Sequence, residues 1–182
     1  MNGVNSMTTD ISIIMGSDSD LAAMKAAMEF LDEMGIGYKV QFMSAHRTAN
    51  DMAEHARTAR AQGYKVIIAG AGGAAHLPGM TEAFEEASVP VVAVPIKTTT
   101  MGGLDSLASI LQMPPGRPVG TMAINGSKNA AIYAAQILAV SDDALAEKLR
   151  AFTDRMADEV RAKNVKLEKL GWKAYLEQMG VL

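Results

Sequence analysis

The sequence predicts a doubly wound α/β fold, a parallel five-stranded sheet with helices on both faces in three αβα layers. Two observations carry this expectation. Five short apolar, β-prone runs are each followed by a segment whose apolar residues recur at helical spacing. The chain's 182 residues, 49% hydrophobic and 20% charged, suit one soluble globular domain of that kind.

Residues 11–15 (ISIIM) read as a fully buried strand that breaks at Gly16-Ser17-Asp18-Ser19-Asp20. The following helix carries Leu21, Met24, Met28 and Leu31 on one face, and Gly35 and Gly37 stop it. Residues 38–43 (YKVQFM) partly alternate and give a second strand, ending at Ser44-Ala45-His46-Arg47-Thr48. Asn50 is the expected N-cap of the next helix, with Asp51 in its first turn, Met52, Ala56 and Ala59 inside, and Gln62-Gly63 at its end.

The third strand, 65–69, runs into Gly70, Gly72 and Gly73, a bare loop that a ligand can approach and that tolerates positive φ. A helix over 77–87 follows, with Pro78 suited to its first turn. Residues 90–95 (PVVAVP) form strand four. The loop 96–103, ending in Gly102 and Gly103, is a candidate flexible lid before a helix over 104–111. MPPGRP (113–118) cannot be helical and acts as a rigid connector to strand five, 119–124. Asn125-Gly126-Ser127 then turns the chain into an alanine-rich helix over 128–139.

Ser141, Asp142 and Asp143 start a longer helix in which Leu145, Leu149, Phe152, Met156 and Val160 make an apolar seam. The rest, 164–182, holds Trp172, Tyr175, Leu176 and Met179, too apolar for a free tail on a monomer. This end is expected to pack on a neighbouring subunit, or else on its own domain. The organisation is therefore a loosely ordered tail (1–9), one α/β domain (10–140) and a helical extension (141–182).

Composition narrows the function classes. A net charge of −3 and a pI near 5.6 leave no basic stripe to neutralise a run of phosphates, so an anionic ligand must be held locally rather than by a nucleic-acid surface. Zero cysteines exclude disulfides, thiolate metal sites and a cysteine nucleophile, and fit a reducing cytoplasm. The first ten residues lack the apolar core of a signal peptide, and no run approaches the ~18 apolar residues of a membrane span.

In doubly wound sheets the ligand lies beyond the carboxyl ends of the strands where the strand order reverses. For a flavodoxin-like order 2-1-3-4-5 that point is between strands one and three, which gathers the loops 16–20, 44–48 and 70–76. Gly16 to Asp20 offers hydroxyls and amides at a helix N-terminus, either as simple caps (Ser19 or Asp20) or as an anion site. In the second reading Ser17 and backbone amides take a phosphate, and Asp20 accepts from sugar hydroxyls. Arg47 can bind phosphate or carboxylate through two parallel hydrogen bonds, and His46 beside it can move a proton near neutral pH. His76 closes the glycine loop, hydrogen-bonding substrate or holding the loop's shape. His55, among Glu54, Arg57 and Arg60, reads as part of a solvated helix face.

The three histidines are scattered without metal-ligand spacing, and the methionines at helical spacing are core. Gly70-x-Gly72-x-x-Ala75 matches a dinucleotide fingerprint, but it follows the third strand, not the first. Strand four also ends Pro95-Ile96-Lys97, without the acid that would hold a ribose.

GSDSD (16–20), SAHRT (44–48), IIAGAGGAAHLPGM (67–80), DSLASILQMPPGRPVGT and the later KNAA together resemble the class I N5-carboxyaminoimidazole ribonucleotide mutases of purine synthesis, over roughly 11–139. The resemblance implies a flavodoxin-like subunit of a homo-octamer, with C-terminal helices reaching across subunits and no metal or organic cofactor. It implies conversion of N5-carboxyaminoimidazole ribonucleotide to 4-carboxy-5-aminoimidazole ribonucleotide. By position, Ser17, Asp20 and Arg47 match the family's ribonucleotide-binding residues, supported by Ser19 and Ser44, and His46 matches its general acid/base. Gly72, Gly73, Ala74, His76 and Leu77 complete the expected substrate-binding set as the wall of a small, dry pocket that retains carbon dioxide.

Two departures stand out: Ala49 where the family usually has proline, and a short segment, Asn125-Gly126-Ser127, before KNAA. The class II carboxylases, which take carbon dioxide directly, tend to have SAHKT and a different glycine loop. A flavin- or nucleotide-binding module without chemistry is the other alternative.

Overall fold

A computed structural model of the chain describes residues 9–86 and 88–181. Of the expected tail, residues 1–8 lie outside these, and Thr9 already belongs to the first strand. The elements in chain order are β1 (Thr9–Met15), α1 (Leu21–Met34), β2 (Gly37–Phe42), α2 (Ala49–Thr58), β3 (Val66–Gly72), α3 (His76–Phe84), β4 (Val91–Ile96), α4 (Leu104–Leu111), β5 (Gly120–Thr121), α5 (Ser127–Ala139) and α6 (Asp143–Gln178). One turn of 3-10 helix, Asp18–Asp20, precedes α1. The sheet is parallel throughout in the order β2-β1-β3-β4-β5, so its reversal lies between β1 and β3.

Strand periodicity builds two cores. Ile11, Ile13 and Met15 of β1 with Val66 and Ile68 of β3 face α1, α5 and the start of α6. Ile14, Ile67, Ala69 and Ala71 face the other way, toward α2, α3 and α4. With both faces covered, β1, β3 and β4 are nearly continuous apolar runs.

Several local expectations shift. The buried face of α1 is Met24, Ala27, Phe30, Leu31 and Met34, whereas Leu21 is exposed, because the helix turns the Phe30 side toward α6. Strand β3 runs three residues further than expected, through Gly72, since Ala71 and Gly72 pair with Pro95 and Ile96. Strand β5 keeps only Gly120 and Thr121 of the expected run. Helix α2 starts at Ala49 with Thr48, not Asn50, at its N-cap, so the missing proline does not prevent the helix from forming.

The loop expected to be a lid is instead tied down. The Thr98 hydroxyl donates to Asp105 Oδ1 at 2.9 Å and accepts from the N–H groups of Met101 and Gly103, both at 3.3 Å. Gly103 has φ 94°, and a Cβ there would fall 2.6 Å from Ile124 Cγ2.

Helix α6 begins with Asp142 capping the Leu145 N–H at 3.0 Å. Leu145 and Phe152 join the core, and the Phe152 ring meets Phe30 edge-on at 5.2 Å between centroids. Lys148 donates to the Met34 carbonyl at 2.9 Å, closing the C-terminus of α1. Beyond that the seam is uncovered: Met156, Val160, Val165 and Leu167 are exposed, as is Trp172 at 61% after the break at Gly171.

Candidate active site

The loops after β1, β2, β3 and β4 surround a cavity of about 450 Å3 at the carboxyl edge of the sheet. Seven of the residues singled out in the sequence line it: Ser17, Asp20, Ser44, His46, Arg47, Gly72 and Leu77. Four do not. Ser19 is exposed and bonds within its own turn, donating to Asp18 and Asp20. Ala74 is exposed outside the lining. Gly73 is anchored behind it, its N–H donating to Ser106 Oγ at 2.9 Å. His76 reaches the site only through His46.

The loop after β1 is shaped by its own hydroxyls. Ser17 is extended, and its Oγ donates to Asp18 Oδ1 at 2.9 Å, which holds that carboxylate in the turn. Asp20 occupies the N-cap position of α1, but its side chain makes no capping hydrogen bond. Burial raises the pKa of its carboxyl above 3.8, against lowering hydrogen bonds from Ser17 and Ser19. A half-buried carboxylate in this state gains from a hydroxyl donor on a ligand.

The loop after β2 is a closed hydrogen-bonded turn. Ser44 donates its N–H to Thr48 Oγ1 at 2.9 Å, and its own Oγ accepts from the N–H groups of His46 and Arg47 at 3.4 and 3.2 Å. Ser44 thus sets the turn that presents the His46 and Arg47 side chains. Arg47 crosses to the loop after β1 and donates through Nη2 to the Gly16 carbonyl at 3.1 Å. It forms no ion pair among the described residues, so its remaining donors are open to an anion in the cavity.

His46 Nε2 lies 2.7 Å from His76 Nδ1, with the rings edge-on at 4.9 Å between centroids. At that distance one nitrogen donates and the other accepts, so a hydrogen bond whose direction the tautomers set joins the two rings. The geometry is held by unusual backbone: Gly73 has φ 69°, and Ala75, immediately before His76, has φ 47°. A left-handed alanine costs roughly 1 kcal/mol or more, and strain of this sort concentrates where a side chain must be aimed. Gly70 serves packing instead, since a Cβ there would come within 2.8 Å of Met24 Sδ.

Sequence reasoning missed Ile96, Lys97 and Thr98, which line the cavity from the end of β4. The signal was available, because β4 ends at the same edge as the other three strands. It also missed the buried Ser106, whose hydroxyl donates to the Ile96 carbonyl at 2.7 Å while accepting from Gly73. His55 was misplaced. It is 6% exposed, bonded to the Ser12 hydroxyl at 2.8 Å, because α2 turns it toward the sheet between β1 and Tyr64. No group of three or more His, Cys, Asp or Glu among the described residues could hold a metal ion. No helix among them is long and apolar enough to cross a membrane.

The chain is 53% identical over 168 residues to the N5-carboxyaminoimidazole ribonucleotide mutase of Thermotoga maritima, covering 92% of this chain and 97% of that one. It is also 53% identical over 165 residues to the phosphoribosylaminoimidazole carboxylase of Schizosaccharomyces pombe, covering 91% of this chain but only 30% of that longer one. A crystal structure of a single-substitution variant of Treponema denticola PurE2 superposes with a TM-score of 0.79 at 26% identity, over 88% of this chain and 99% of that one. The family model described as AIR carboxylase matches residues 10–159, and the chain belongs to that family.

Proposed function

We propose that the chain is an N5-carboxyaminoimidazole ribonucleotide mutase, an isomerase of de novo purine biosynthesis that moves a carboxylate from N5 to C4 of its ribonucleotide. The observation that carries this reading is the His46–His76 pair beside Arg47 and Ser17 at one cavity, a proton carrier next to an anion site. The relatives that match over nearly their whole length bear the mutase name.

The roles follow from placement. Arg47 and the Ser17 turn take the 5′-phosphate, and Asp20 accepts from the ribose hydroxyls. His46 gives a proton to the carbamate nitrogen as the C–N bond breaks and carbon dioxide leaves. The freed amino-imidazole then attacks carbon dioxide through C4, and His46 takes the proton that C4 loses. Protons balance over the cycle, so one imidazole that gives a proton and takes one back suffices and the scheme needs no cofactor. Gly72 and Leu77 wall the space in which carbon dioxide is kept, with Gly73, Ala74 and His76 shaping the loop behind it. Ser19 and Ser44 support the two anion-binding turns.

The uncovered half of α6 and the segment after Gly171 pack on a neighbouring copy in a cytoplasmic homo-octamer, in keeping with the exposed Val160, Trp172 and Met179. The mass of the full chain in solution tests this, and a monomer would refute it. For the activity, purified protein is expected to convert the carbamate substrate to the C4 product without added bicarbonate. Turnover that requires bicarbonate and the uncarboxylated ribonucleotide would overturn the mutase reading. Unchanged ribonucleotide affinity in Asp20→Asn would remove Asp20 from the binding set.

A further inference from the structure

Lys97 is the one basic residue on the β4 side of the cavity, across from Arg47 on the β2 side. It follows Ile96, which pairs in the sheet with Gly72, so it stands directly beside the glycine wall. Among the described residues it forms no ion pair. An exposed lysine is ordinarily unremarkable, but the backbone beneath this one is fixed from two sides. The Lys97 N–H donates to Asn125 Oδ1 at 2.8 Å, and the Asn125 N–H donates to the Pro95 carbonyl at 2.8 Å. Asn125 adopts a left-handed conformation, φ 55°, to do this. On the other side Gly103, φ 94°, packs so closely that a Cβ would sit 3.0 Å from Lys97 Cα. Two left-handed positions, Asn125 and Gly103, therefore bear on one lysine at the cavity rim.

A ligand that spans the cavity meets a cation at each end. Resting on the function proposed above, we infer that Lys97 is a specificity residue that pairs with the substrate's transferable carboxylate, while Arg47 holds the phosphate. A cation there favours the carboxylated ribonucleotides over the uncarboxylated one. It holds the carboxylate equally in the ground state and in the transition state, where the carboxylate's charge is still largely present, so it lowers KM without raising kcat.

The test is binding of two probes, 5-aminoimidazole ribonucleotide and its 4-carboxy derivative, to wild-type, Lys97→Met and Lys97→Arg proteins by calorimetry, with steady-state kinetics alongside. Lys97→Met is expected to weaken the carboxylated probe about tenfold and leave the uncarboxylated probe within twofold. KM should rise by a similar factor with kcat within twofold, and Lys97→Arg should restore most of the loss. Equal weakening of both probes would overturn the assignment by moving Lys97 to the phosphate, and no weakening of either would overturn it outright. Wild-type protein that binds neither probe would instead refute the proposed function itself.

Discussion

His46 and His55 flank the start of the same helix, three residues before α2 and within it, yet they live in opposite surroundings. His46 is exposed, with a second imidazole 2.7 Å away and a cavity in front of it. His55 is sealed between β1 and Tyr64, its Nε2 spent on the Ser12 hydroxyl. Burial holds its pKa below 6.5, and the Lys39 charge adds to this. An exposed ring hydrogen-bonded to a second imidazole can exchange that bond with a ligand. A ring buried without a counter-ion is kept neutral and contributes only structure. Burial and partner, not residue type, separate a proton carrier from a core hydrogen bond.

The largest effect should come from breaking the exposed member. His46→Asn keeps an N–H donor but cannot carry the proton, so kcat is expected to fall by about a thousandfold or more. Affinity for the 4-carboxy ribonucleotide should stay within threefold, because phosphate and ribose contacts are untouched. Turnover above a tenth of wild type would place the proton transfer elsewhere.

Removing the buried member should invert the pattern. His55→Ala strands the Ser12 hydroxyl, which is fully buried, and opens a cavity against Tyr64. The unmet hydroxyl alone costs about 1–3 kcal/mol, and the cavity adds to it. Chemical denaturation should show a loss of about 2–4 kcal/mol, while kcat/KM per folded molecule stays within twofold. A variant as stable as wild type would mean that the Ser12–His55 bond holds nothing. In the Ser12→Ala background the penalty should shrink, since no hydroxyl is then left unpaired.

This contrast also marks how far the sequence was legible. Strand–loop–helix alternation gave the sheet and the three loops, because apolar runs and glycine-rich breaks are local signals. The motif GSDSD and the motif SAHRT converged as expected at the β1/β3 reversal, with Ser17, Asp20, His46 and Arg47 on one cavity. His55 was not legible, because its neighbours in sequence are charged while its neighbours in space are Ser12 and Tyr64. The helix face that turns inward is set by the packing of α2, not by composition. The His46–His76 contact joins residues 30 apart and depends on a left-handed Ala75, which no local rule predicts for alanine. Lys97 was legible as the end of strand four but was not carried to the cavity, although in a parallel sheet β4 must end at the same edge as its neighbours.

The smallest effect separates the two histidines by pH. His55 has a folded pKa below its unfolded value near 6.5, so the unfolded chain binds the extra proton first. Its contribution is therefore fully present above about pH 6.5 and is lost as pH falls from there toward the folded pKa. The part of stability that this residue contributes should hold steady above neutrality and decline below it. In His55→Gln, which can still hydrogen-bond Ser12 but cannot titrate, that part of the decline should flatten. His46→Asn should leave it in place, since that change touches neither His55 nor its Ser12 partner. If His46→Asn rather than His55→Gln removes the decline, acid sensitivity belongs to the exposed pair, and the assignment of one structural and one proton-carrying histidine is wrong.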